Sequence, residues 1–283
     1  MNKMKLIPGM NSQPLVPWLA ALLLLVATTA CDLQSTGSSA GKGTLQVLMH
    51  DKPADFDELW IEVERVEVNN QLDEGSGWTV ISEPNERYNI LTLVNGAQVV
   101  LGESELDAGR YRQIRLILGD DNSIVVGENT YPLQTPSAQQ TGVKLNMDAE
   151  IQEGMTYTLH LDFDASRSVV KKGNAQGSYP YLLKPVIRAY AQAETGTISG
   201  IVVPAESDPW IYAIAGEDTL SSTRAEENTG EFRLMGLSEN SYTVSIDPAD
   251  EDYEPVAIPD VEVTAGEDTD LGEIELTEAT EEE

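Results

Sequence analysis

Cysteine is almost missing: Cys31 is the only one in 283 residues, so no intrachain disulfide is available and the folded part must hold together through its cores. Histidine is nearly as scarce, with His50 and His160 alone, which leaves few groups suited to general acid–base work near neutral pH. Positive charge is also short. Lys+Arg number 17 against 48 Asp+Glu, a formal net charge of −31, and a surface of that sign repels phosphate backbones and anionic membranes. Nucleic acid is therefore not expected as a partner. The sequence holds no His-Glu-x-x-His helix, no spaced Cys/His set and no phosphate-binding glycine loop, which argues against zinc and nucleotide chemistry. What remains is length for about two domains and a hydrophobic content of 41%, enough to build real cores.

The first 30 residues read as an export signal: Lys3 and Lys5, the apolar run Leu15–Val26, then small residues up to Ala30. Twelve apolar residues fall short of the roughly 20 that span a bilayer. The lone cysteine stands where the small residues end, an arrangement that resembles the lipobox of bacterial lipoproteins. That resemblance implies cleavage before Cys31, its lipidation, and export to the cell envelope, at the outer membrane or cell surface in preference to the inner membrane. The alternative is an ordinary signal cut after Ala30, with Cys31 left as a free thiol. Residues 31–42 are rich in Gly and Ser and read as a flexible tether. The Gly-x-Ser-x-Gly match at Gly37–Gly41 lies in that tether, without the strand and helix a nucleophile elbow needs.

From residue 43 to 193 the periodicity is that of strands. Tyr157, Leu159, Leu161 and Phe163 alternate with Thr158, His160 and Asp162, which predicts one buried face and places His160 toward solvent. The apolar phase of Leu59–Val63 shifts at Val66 and Val68, predicting a bulge near Glu64 and Arg65. No capped helix of three turns is expected, only a helical turn within Tyr88–Val94. Charge shifts near Glu194: residues 194–283 hold 25 acids against Arg224 and Arg233, a net of −23, whereas 31–193 hold 23 acids against 13 bases, a net of −10. A second set of strands occupies 194–276, and 277–283 reads as an acidic tail. Leu106–Tyr111 and Leu237–Tyr242 share the frame Leu-x-x-(Gly/Asn)-x-Tyr, predicting tyrosine corners, with Ile151–Tyr157 as a looser third copy. The expected fold is all-β, two β-sandwich domains in tandem behind the signal peptide and tether.

Residues 43–190 resemble a lipoprotein family known only as a domain of unknown function, DUF4382. The residues that carry this are Met49–Ala54, Ile61–Val68, Gly77-Trp78, Leu106–Leu116, Thr135-Pro136-Ser137, and Leu161–Ser168 before Leu183-Lys184-Pro185. The C-terminal 80 residues resemble the carboxypeptidase regulatory-like, carbohydrate-binding-like family through Gly196–Val202, Thr229–Leu237 and Ser241–Val244. That resemblance implies a seven-stranded accessory sandwich and no catalysis.

Candidate chemistry is sparse. His50-Asp51 invites a triad reading, but no partnered serine is identifiable, and no enzyme is expected. Calcium is the one cation whose ligands the chain supplies in loops, at Asp120, Asp121 and Asn122 and at Asp247, Asp250 and Asp252. Neither loop follows the twelve-residue EF-hand pattern, so general acidity is the competing reading, and no other cofactor is implied. Asp162, Asp164, Arg167 and Lys184 form the densest opposite-charge set, read either as a strand-end ion-pair network or as a ligand contact. Trp60, Trp78, Trp210, Tyr179 and Tyr181 are the aromatics on offer for a glycan platform, though most should be core. The pervasive acidity fits a halophilic host or a cation-collecting surface. The functional expectation is a lipid-anchored envelope protein presenting its sandwiches to a glycan or protein ligand, or a purely structural spacer.

Overall fold

The computed structural model describes residues 41–70, 77–135, 141–172 and 180–279. Cys31 and its lipidation, the signal and tether, Tyr179, and the last four residues of the acidic tail lie outside them.

Thirteen strands make the first sandwich. They are β1 (Lys42–Lys52), β2 (Glu58–Asn69), β3 (Trp78–Ser82), β4 (Glu86–Asn89), β5 (Val99–Asp107), β6 (Gly109–Leu118), β7 (Ser123–Val126), β8 (Asn129–Gln134), β9 (Val143–Ile151), β10 (Thr156–Asp164), β11 (Val169–Lys171), β12 (Tyr181–Leu183) and β13 (Ile187–Ala191). A four-stranded sheet runs β13-β10-β1-β5 and faces a nine-stranded sheet built around β2. Alternation sets which side chains meet between them: Val47 and Met49 of β1, Leu161 and Phe163 of β10, and Leu59 and Ile61 of β2 are all buried in one core. Each such side chain contributes about 1.5–3 kcal/mol by leaving water.

Seven further strands make the second sandwich: β14 (Gly196–Val203), β15 (Trp210–Ala215), β16 (Asp218–Arg224), β17 (Glu231–Leu237), β18 (Asn240–Asp247), β19 (Val256–Val263) and β20 (Asp268–Glu275). Sheets β17-β14-β20 and β16-β15-β18-β19 enclose a separate core that includes Ile198, Phe232, Tyr242 and Val244. Gly230 turns at φ +71°, and a Cβ there would lie 2.1 Å from the Val202 carbonyl oxygen, so the entry to β17 requires glycine.

Local expectations meet the structure in detail. The register of β2 against β6 shifts between Val63 and Arg65. The only helical segments near Tyr88–Val94 amount to one 3-10 turn, Ile90–Thr92. Both corners form: the Tyr111 hydroxyl donates to the Asp107 carbonyl (3.1 Å) and the Tyr242 hydroxyl to that of Ser238 (2.8 Å). The third copy departs, because Tyr157 reaches sideways to the Asp148 carbonyl at 3.5 Å and not back into its own turn. Leu182–Tyr190, one strand by its pattern, is two, interrupted where Pro185 removes a ladder donor.

His160 does not face solvent. It is 3% exposed, because the outer face of β10, polar by alternation, is covered by the second sandwich.

Candidate functional site

The covered face is the most polar buried place among the described residues. On β1, Leu48, His50 and Lys52 point away from the first core; on β10 His160 and Asp162 do; on β13 Arg188 and Tyr190 do. Register sets His50 beside Asp162, Asp162 beside Arg188, and His160 beside Tyr190. Three contacts seat the second sandwich on this face. Lys52 Nζ donates to the Leu220 carbonyl (3.0 Å). The Asn95 amide donates to the Glu231 carbonyl (2.9 Å) and its oxygen accepts from the Arg233 backbone N–H (2.6 Å). Gly236, at φ +69°, lies against Arg188 and the Tyr190 ring.

Asp162, 2% exposed, is the electrostatic centre. Arg188 Nη2 donates to Oδ2 at 3.0 Å, and Lys52 Nζ stands 3.6 Å from the same oxygen. His50 Nδ1 stands 3.8 Å from Oδ1. A carboxylate taken so far out of water is tolerated only with such partners. His50 Nε2 meets the Tyr190 hydroxyl at 2.7 Å, and the Tyr190 ring stacks on His160 at 5.1 Å between centroids. Beside this stack a cavity of about 270 Å³ opens along the seam, lined by His160, Tyr190, Thr197, Arg233, Gly236 and Asp268 among others.

Tyr190, His50 and Asp162 stand in the order of a nucleophile, a base and an orienting acid. Their proton affinities point the other way. Burial pushes the His50 imidazole down to about 4, with Asp162 only partly offsetting it, and burial pushes the Tyr190 phenol up. The proton therefore stays on the phenol, and a base this weak is poorly matched to neutral pH. His50 and Tyr190 form a hydrogen-bonded pair, with Asp162 beside it as a charge, too far at 3.8 Å to accept from His50 Nδ1. His50-Asp51 forms no triad either: neighbours on a strand face opposite ways, and Asp51 Oδ1 accepts from the Ala165 N–H (3.0 Å) on the far side of β1. Burial holds the Asp51 carboxyl well above the usual carboxylate range.

The four-residue set of the sequence divides. Asp162 belongs to the seam. Asp164 caps the helical turn Ala165–Ser168, accepting from the Arg167 N–H (3.0 Å) and the Ser166 hydroxyl (2.8 Å), while the exposed Arg167 guanidinium stands 3.9 Å from it. Lys184 is exposed and tied to the same turn through its backbone N–H on the Ser168 carbonyl (2.7 Å). Sequence reasoning missed Lys52, Asn95, Arg188, Tyr190 and Arg233. Alternation marks several of them as outward-facing, but nothing local reveals that β1 and β10 pair in parallel or that another sandwich covers them.

Several side chains of the two candidate calcium loops have partners within the chain. Asn122 is buried, donating to the Gly119 carbonyl (2.7 Å) and accepting from the Glu62 N–H (2.8 Å). Asp121 pairs with Arg87 at 3.3 Å, and Asp120 is exposed. Asp250 accepts from the Asp252 N–H (3.0 Å) in an exposed turn beyond Asp247. Among the described residues no group of three or more His, Cys, Asp or Glu side chains is placed to hold a metal ion. The three tryptophans among the described residues are partly buried, and each lies under an arginine: Arg87 at 5.4 Å from Trp60, Arg115 at 4.1 Å from Trp78, Arg224 at 5.9 Å from Trp210. Tyr181 is core.

The family model "Domain of unknown function (DUF4382)" matches residues 42–185, just over half of the chain. The chain belongs to this family. The match spans β1 to β12 and so contains His50, Lys52 and Asp162, while Arg188, Tyr190 and the second sandwich fall beyond it. No curated protein matches this DUF4382 chain. Among solved structures, it is similar to a chain of a type II cohesin–X-dockerin complex from Acetivibrio cellulolyticus (26% identity, 29% of this chain and 58% of that one, TM-score 0.25). It also overlaps the Bacillus anthracis TIE protein (10% identity, 84% and 34%, TM-score 0.23). A third is GBS52, the minor pilin of Streptococcus agalactiae (8% identity, 84% and 98%, TM-score 0.23). The chain thus spans under two thirds of the cohesin–dockerin chain it matches, and overlaps this loose carry no argument about activity. Among the described residues no helix is long and apolar enough to cross a membrane.

Proposed function

We propose that this protein is a non-enzymatic, lipid-anchored component of the cell envelope that displays two docked β-sandwiches to a glycan or protein ligand. The observation that carries the reading is the use made of the titratable groups. His50 and Asp162 are paired with Tyr190, Arg188 and Lys52 of their own sandwich beneath the second one, and burial holds the His50 imidazole down to about 4, a poor match to general-base work near neutral pH. Cys31 supplies the anchor in this reading, the tether spaces the sandwiches from the bilayer, and the seven-stranded second sandwich is a carboxypeptidase regulatory-like accessory module.

A purely architectural role is the second reading, favoured by the arginines that lie over Trp60, Trp78 and Trp210 and cover the largest aromatic faces among the described residues. Intact mass and detergent partitioning of the native protein beside Cys31→Ser test the anchor: acyl mass and detergent-phase recovery that vanish in the variant are expected, and an unmodified soluble thiol overturns it. Titration against purified envelope glycans and envelope proteins separates display from architecture, since only a binder saturates.

A further inference from the structure

The seam joins the sandwiches with an unusual material for a permanent interface. Its centre contains two buried imidazoles, a buried carboxylate and a phenol, with little apolar surface between them. Every group facing His50 is identifiable: Lys52 on its own strand, His160 and Asp162 on β10, Arg188 and Tyr190 on β13, and Arg233 from the second sandwich, which lines the small space beside His50 with Asn95 and Met235. Asp162 already answers two cations, Arg188 and Lys52. Both stand on Oδ2, leaving Oδ1 as the carboxylate acceptor near His50; a proton on His50 still adds a third positive charge against a single carboxylate in a place short of water. His160 has its Nδ1 buried without a hydrogen-bond partner, and burial lowers its proton affinity although the Gln192 side chain and Asp162 oppose this. The cavity beside the stack already touches His160 and Tyr190, and both imidazoles become fully hydrated when the second sandwich lifts away from Tyr190 and Gly236. The link that would bend is short: the exposed 3-10 turn Gln192–Glu194 and the half-buried Thr195.

We propose that this seam is an acid-opened latch: at neutral pH the second sandwich is held on His50, His160 and Tyr190, and on mild acidification it swings off about residues 192–195 while both sandwiches keep their cores. Burial lowers the proton affinity of both rings in the docked state. Docking is thus fully favoured above the ordinary histidine value of about 6.5 and weakens as pH falls toward the docked value of about 4 for His50. His50 alone weakens docking roughly 30-fold between pH 7.5 and pH 5, because each pH step below the ordinary histidine value favours the open, protonated form about tenfold more. His160 adds in the same direction. Asp51, whose raised affinity would act oppositely, points to the other face of β1 against Ala165 and stays buried when the latch opens.

The test uses the full exported chain from residue 31, with Cys31→Ser to keep it in solution. Small-angle scattering and cleavage after Glu194 by a glutamate-specific protease are followed from pH 7.5 to 4.5 in 1 M NaCl, which screens general acid repulsion, with far-UV circular dichroism alongside. The expected result is a reversible rise in radius of gyration and faster cleavage near pH 5, with unchanged strand signal. Gly236→Val gives the open reference at every pH. His50→Gln/His160→Gln removes the pH response. If that double variant is open already at pH 7.5, the wild-type titration alone decides. No change in radius down to pH 4.5, a change that coincides with loss of strand signal, or a response that persists in a docked double variant overturns the latch. Neutralising the many surface carboxylates would draw the chain together, so expansion on acidification has the opposite sign to the general charge effect.

Discussion

The backbone of Gly236 runs directly beneath the Tyr190 ring: a Cβ at Gly236 would lie 2.7 Å from the ring and 2.6 Å from Arg188 Nη2. A residue of one sandwich is thus shaped to a side chain of the other, and the fit depends on the absence of a single carbon.

Gly236→Val should therefore act on the seam before it acts on either core. Its φ of +69° adds backbone strain to the steric clash. Scanning calorimetry is expected to resolve two transitions in the variant where the parent shows coupled unfolding, and a single unshifted transition would contradict the close fit.

Asp162→Ala leaves Arg188 and Lys52 without their shared carboxylate, but the Arg188 side chain is 41% exposed and that of Lys52 19%, so water takes over part of the lost pairing. The cost should fall below the roughly 3–5 kcal/mol of a fully buried pair, measurable by urea unfolding at pH 7.5. Lys52→Met should cost much less, because it removes a charge and leaves Arg188 to serve Asp162.

The tyrosine corners offer a test of independence. Tyr111→Phe and Tyr242→Phe each remove one hydroxyl bonded to a carbonyl, at about 1 kcal/mol apiece. They sit in different cores, so the double variant should show the sum. Tyr157→Phe, whose hydroxyl contact is long and exposed, should be near neutral.

Asn122 holds the Gly119–Asn122 turn to β2 with both ends of its amide. Asn122→Asp exchanges a donor for an acceptor against the Gly119 carbonyl, and is expected to cost about 1–3 kcal/mol. Calcium should shift the melting temperature of parent and variant alike, no more than magnesium does at equal ionic strength. A calcium-specific rise lost in the variant would make this loop a cation site after all.

Much of the fold was legible because strand pairing leaves a local trace. The alternation of Tyr157–Phe163, the phase shift after Val63 and the frame ending in Tyr111 or Tyr242 each reflect which side of a strand meets the core, and each is realised. His160 departs for an instructive reason. Alternation states that a side chain leaves its own core and is silent about what lies on the other side, and here that is a second sandwich some tens of residues away in sequence. The seam assembles residues from β1, β10, β13, β16 and β17, of which only β16 and β17 are neighbours in the chain, so spacing could not announce it. Charge density singles out Asp162, but its partners come from strands that only the tertiary register brings near.

Lys52 has one more consequence. The chain has no lysine after Lys184, so the second sandwich has no side-chain amine of its own, and the one lysine that touches it lies inside the seam with its Nζ bonded to the Leu220 carbonyl. The Lys52 side chain is 19% exposed in the docked state, so an acylating reagent should meet it slowly there and faster when the sandwiches part. The modification rate of that single amine is a built-in clock for how often they do so.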